Sequence, residues 1–141
     1  MIQIAPDGQL GLDLGGALVR AVDQNTDEPL IGVPADRVHA ELIGRPRPLG
    51  ALHAVQIAGS VEWIGKQFRA EDRIDLAPAP EGATLFGARM ETEMHVGRRN
   101  LRLGLEGRNL LNTSYREATS LLRYYADEPG RDIRLRVGMD L

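Results

Sequence analysis

Cysteine is missing from the 141 residues, which excludes disulfides, thiolate metal sites and cysteine nucleophiles. Aromatic side chains make up only 4% of the chain, so any stacking platform or interfacial girdle must be built from very few rings. No apolar run approaches the roughly 20 residues of a membrane helix, and Met1-Ile2-Gln3-Ile4-Ala5-Pro6-Asp7-Gly8 has neither the basic start nor the apolar stretch of a signal peptide. A membrane role therefore requires strands. Basic residues form no block: 17 Lys and Arg are scattered against 20 Asp and Glu, and the net charge of -3 argues against a nucleic-acid partner. Low-complexity tracts are also lacking, and 43% hydrophobic with 26% charged residues is a folding composition for one ordinary domain.

What the chain does have is punctuation. Its 16 Gly and 8 Pro interrupt every candidate helical run at intervals that suit strands. Six strands are expected: Gln9 to Val22, Asp36 to Arg45 (where a helix is a rival), Leu52 to Gly65, Thr84 to Val96, Asn100 to Arg108, and Asp132 to Leu141. Successive strand side chains face opposite sides. Thus Leu10, Leu12, Leu14 and Leu18 align, as do Val38, Ala40 and Leu42. Val55, Ile57, Gly59, Val61 and Trp63 oppose Ala54, Gln56, Ala58, Ser60 and Glu62. Phe86, Ala88, Met90, Thr92, Met94 and Val96 oppose Gly87, Arg89, Glu91, Glu93 and His95; Leu101, Leu103 and Leu105 oppose Arg102, Gly104, Glu106 and Arg108. In the last strand Ile133, Leu135, Val137, Met139 and Leu141 oppose Asp132, Arg134, Arg136, Gly138 and Asp140. The connections alternate, long at 23–35, 66–83 and 109–131, short at 46–51 and 97–99. Long strands with this rhythm fit the short turns and longer outer loops of an outer-membrane barrel.

The run Asn109-Leu110-Leu111-Asn112-Thr113-Ser114-Tyr115-Arg116, then Pro129-Gly130-Arg131 entering the final alternating strand, resembles the carboxy-terminal end of TonB-dependent outer-membrane receptors. Upstream, Glu28-Pro29-Leu30-Ile31-Gly32-Val33-Pro34 with Arg37 is similar to a proline-rich loop of that family, with Gly32 and Ala35 in place of prolines. Gly65-Lys66-Gln67-Phe68-Arg69, Glu71-Asp72 and Ala77-Pro78 are similar to a segment of its metal and siderophore receptors. The family usually ends in Phe; here Leu141 takes the position of the assembly signal. The resemblance implies an all-β antiparallel up-and-down meander, a partial outer-membrane β-barrel in which residues 1–141 are the carboxy-terminal part of a barrel of about 22 strands. It further implies a metal or metal-chelate ligand, a location in the outer membrane of a Gram-negative bacterium, and as partners the outer-membrane lipid, the remaining strands, the plug domain, TonB through that plug, and the barrel-assembly machinery. No cofactor is expected.

Catalytic readings are thin. Glu91 and Glu93, roughly 7 Å apart on one strand face, approach the separation of paired acids in glycoside hydrolysis, but a hydrated polar wall presents the same pattern. His39, His53 and His95 have no close metal-ligand spacing, and Ser60, Ser114 and Ser120 lack the nucleophile elbow. Within 115–127, Ala118, Leu121, Leu122 and Tyr125 recur at helical spacing and suggest a short turn. Arg116, Arg123 and Arg131 suit either an anionic chelate or the neighbouring Glu117, Asp127 and Glu128. The chain is thus expected to be a non-enzymatic barrel wall that does not function alone. The alternative is a soluble antiparallel sheet or small barrel binding a small apolar ligand or a partner chain.

Overall fold

The computed structural model describes residues 2–5, 9–48, 50–67 and 75–139. They form one antiparallel sheet with its strands in chain order: β1 Ile2–Gln3, β2 Leu10–Ala17, β3 Arg37–Gly44, β4 Leu52–Ile64, β5 Ala83–Val96, β6 Arg99–Arg108 and β7 Asp132–Met139. The sheet is open, with β1 pairing only β2 and β7 only β6 among the described residues. The all-β meander matches the expectation. The short β1 was not foreseen, because two residues carry no periodicity. The first long strand stops at Ala17, not Val22, because its partner begins at Arg37 and leaves 18–21 without a ladder. Val22 makes only an isolated bridge to Pro29. The segment for which helix was a rival is a strand, β3, whose backbone is paired on both sides. The last strand is described as far as Met139; Leu141, the expected assembly signal, lies outside the described residues.

Register decides which side chains share a face, since directly opposed residues project to the same side. Leu14, Ala40, Val61 and Phe86 line up across β2 to β5; Met90, Leu105 and Leu135, then Thr92, Leu103 and Val137, continue the row across β5 to β7. One face is therefore apolar from end to end, and Arg99, opposite Val96 at the tight turn 97–98, is its charged residue. On the other face Asp13, Glu41 and Ser60 align, followed by Arg89 with Glu106 and Arg134. One correction applies to β4. A bulge between His53 and Gln56, with Ala54 at φ 50, changes the phase, so Leu52 opposes Met94 on the apolar face and His53 opposes Glu93 on the polar one. Val55, expected on the apolar face with Ile57, is buried at the bulge.

Neither face has a conventional core. Among the described residues no large side chain is fully buried, and Leu14, Val38, Leu42, Ile57, Leu105, Ile133, Leu135 and Val137 are all exposed. The molecule presents 9698 Å² to solvent, against about 7,200 Å² for a compact monomer of this mass. Much of the burial gathers at one end, in Ala35, Ile64, Gln67, Ala83, Asn109, Ala118 and Arg123. That end is where an up-and-down meander brings together its long connections 18–36, 65–82 and 109–131; the short ones, 45–51 and 97–98, lie at the other.

Candidate functional site

The three long connections pack on one another, and Gln67 and Arg37, which carried the family resemblance, take part in the tying. Gln67 donates from its side-chain amide to the carbonyls of Val33 (2.8 Å) and Pro34 (3.3 Å), joining two of the motif segments. Arg37 reaches Glu62 at 3.2 Å and also pairs with Glu117 of the third loop. The Arg20 guanidinium forks onto Asp36 at 2.6 and 3.0 Å.

Within 109–131 several motif residues have structural tasks. Asn109 and Asn112 take left-handed backbone, at φ 47 and 55, a region Asn tolerates because its short amide can bond locally. The buried Asn109 amide both donates to the Thr113 carbonyl and accepts from the Thr113 N–H, each at 2.8 Å. Leu110 donates its N–H to Phe86 at 2.9 Å and folds its side chain over Gly107, where an added Cβ would stand 2.7 Å from Leu110 Cδ2. Asn112 closes the loop: its Oδ1 accepts the Arg131 N–H at 2.9 Å. Gly130 leaves room beside it: a Cβ there would lie 2.4 Å from the same oxygen, so the Asn112 amide would have to shift. The Tyr115 carbonyl accepts the Glu128 N–H at 2.9 Å. Burial, reinforced by the carboxylates of Glu117, Glu128 and Glu62, pushes the Tyr115 phenol up. Arg116 holds Asp127 at 2.6 Å and the Arg123 carbonyl at 2.7 Å. Bonds from Ser114 and Arg116 keep the Asp127 carboxyl below its usual range.

The expected short turn exists as a 3-10 helix, Leu121–Tyr124. Leu121, Leu122 and Tyr125 are exposed, and the buried member is Arg123. Arg123 pairs with Asp75 of the second loop, with side chains only 4% and 5% exposed. The Tyr124 hydroxyl donates to Asp75 at 2.7 Å, and the guanidinium lies 4.5 Å from the Tyr124 ring centroid. Burial disfavours the charged Asp75, yet the bonds from Tyr124, Arg123 and the Leu76 N–H outweigh it and hold the carboxyl low. Asp75 and Tyr124 were not singled out from the sequence. A pair 48 residues apart leaves no local signal.

Beneath the loops, a concavity of about 430 Å³ opens onto the polar face, lined by Glu41, Glu62, Arg89, Glu106, Tyr115 and Arg134 as well as Pro129 and Gly130. Its charges are matched. Arg89 forks onto Glu41 at 2.9 and 3.0 Å, and Glu106 takes Arg108 at 2.6 Å and Arg136 at 2.9 Å. Such a floor offers donors and acceptors of both signs to a polar ligand. The Glu91 and Glu93 carboxylates lie beside Arg89 (3.9 Å) and Arg102 (3.6 Å). Among the described residues, no cluster of three or more His, Asp or Glu is placed to hold a metal ion. No protein-family model, no curated protein and no solved structure matches the chain.

Proposed function

We propose that this chain is a wall segment of an outer-membrane β-barrel, the carboxy-terminal portion of a TonB-dependent receptor for a metal or metal chelate. One observation carries the reading: a sheet with a continuous apolar face left exposed and a polar face stitched by ion pairs, the inverse of a water-soluble sandwich. In this reading the apolar face meets lipid and the polar face lines the lumen. The clustered long loops face outward, and the concavity under them forms part of a ligand vestibule. Trp63 and Phe86, diagonal neighbours near the loop end of the apolar face, sit where a girdle belongs. The open edges at β1 and β7 take the remaining strands, the plug fills the lumen and engages TonB, and the assembly machinery inserts the whole. The receptor family and ligand class rest on the motif resemblance, and transport requires parts beyond these strands.

Sedimentation with and without detergent is the test. The chain is expected to associate in buffer and to fold with strand structure only in micelles or vesicles. A sharp monomer in plain buffer with a cooperative thermal transition refutes the proposal and favours a soluble sheet that binds a partner.

A further inference from the structure

At the opposite end from the loops, beside the tight turn 97–98, the fold brings together two histidines that lie far apart in the chain. His53 stands directly across from Glu93 in the β4–β5 ladder, and His95 is two residues further along β5 on the same polar face. Such diagonal cross-strand neighbours lie within reach of long side chains. Here the two imidazoles meet, with ring centroids 5.1 Å apart and planes at 80°. The bulge at Ala54 creates this contact, because without the phase change His53 would not share the polar face with His95.

We propose that His53 and His95 together bind one divalent transition-metal ion of the zinc, copper and nickel class. Imidazole nitrogen is a preferred donor for these ions. Two imidazoles on one tetrahedral ion, with metal–nitrogen bonds of about 2.05 Å, place their centroids about 5.2 Å apart. The observed centroid spacing of 5.1 Å is close to that value. Both rings are exposed, so water can complete the coordination shell. The adjacent Glu93 carboxylate contributes negative charge; Arg102, 3.6 Å from it, offsets that charge in part. Asn100, opposite His95 on β6, supplies a place for a third donor. The site requires only the pairing of β4, β5 and β6, and so stands apart from the transport reading.

The test is a titration of the full chain, folded in detergent micelles, with Cu2+ or Zn2+ alone at a pH about one unit above the ordinary imidazole value. One ion per chain is expected, with two nitrogen donors in the Cu2+ electron paramagnetic resonance spectrum. His53→Asn and His95→Asn should each weaken binding about tenfold or more, and His39→Asn should leave it unchanged. Asn100→His should tighten it. Binding that survives the first two substitutions, is equally sensitive to His39→Asn, or is absent from the unaltered chain overturns the proposal. An effect of His53→Asn and His95→Asn without a gain from Asn100→His still supports the pair; no effect from any of the three overturns it.

Discussion

Replacing Arg123 by Ala should loosen the whole loop platform, because it strands the Asp75 carboxylate in a site only 5% exposed. The remaining donors to that carboxylate are neutral: the Tyr124 hydroxyl and the Leu76 N–H, both at 2.7 Å. Removing one partner of a buried ion pair typically costs about 3–5 kcal/mol, since the other charge keeps its desolvation penalty. Removing both charges costs much less. Asp75→Leu combined with Arg123→Met should therefore be milder than Arg123→Ala, with a coupling of several kcal/mol in the double-mutant cycle built from Asp75→Leu and Arg123→Met. The effect is local, so the assay is native-state hydrogen exchange of the Tyr125 and Ala126 amides, which donate to the Leu122 carbonyl at 2.8 and 2.9 Å. At about 1.4 kcal/mol per tenfold, Arg123→Ala should speed their exchange by about two to four orders of magnitude. Strict additivity of the two substitutions, or a loss below about 1 kcal/mol for Arg123→Ala, would refute the view that this pair anchors the second loop to the third.

Three further outcomes are expected. Leu103→Arg, on the apolar face, should lower the folded fraction in lipid vesicles by about 2–4 kcal/mol, whereas Glu106→Arg, on the polar face, should be better tolerated; equal effects would mean that the faces are wrongly assigned. Gly130→Ala should cost about 1–3 kcal/mol in a denaturant titration by driving a Cβ to 2.4 Å from Asn112 Oδ1, and adding Asn112→Gly should recover part of the steric loss. Asp75 and Asp127 are both held below their usual carboxyl values, so their stabilisation is complete above the unfolded value of about 3.9 and is lost as pH falls through the lower folded values. Carboxyl-carbon titration should show both depressed, and Asp75→Asn should flatten the acid limb of the stability curve.

Strand alternation was legible because it is local: β5, β6 and β7 each write their two faces into consecutive residues, and the ladders keep that phase. The bulge at Ala54 was not legible, because a single left-handed alanine leaves the composition of β4 unchanged while reversing the phase upstream of it. The same slip hid the His53–His95 contact, which requires strand register in addition to sequence spacing. In the third loop, helical periodicity located the turn but carried no information on which side faces inward. There Arg123 goes inward because Asp75 and Tyr124 satisfy it, and Leu121 and Leu122 are left outside. The motif residues Asn109, Asn112 and Gly130 were visible as a pattern, but their work became explicable only through the bonds that tie the loop ends together.

The energetic case for a covered apolar face can be bounded. Burying a large aliphatic side chain from full exposure contributes about 1.5–3 kcal/mol, so each residue left about half exposed withholds roughly 1 kcal/mol or more. Leu14, Val38, Leu42, Ile57, Trp63, Phe86, Leu105, Ile133, Leu135, Val137 and Met139 all lie on this face with between 42% and 71% of their surface exposed. Together they withhold on the order of 10–20 kcal/mol, comparable with the whole net stability of an ordinary domain. The polar face cannot compensate through pairs such as Arg102–Glu93, whose side chains are 61% and 46% exposed and screened by water, so that each contributes little. A cover over the apolar face is therefore what the sheet most needs. Lipid supplies one without matching side chains, whereas a protein partner would have to match a face that extends across β2 to β7. That difference favours the membrane reading, and it makes vesicle insertion of Leu103→Arg the sharper of the two face measurements.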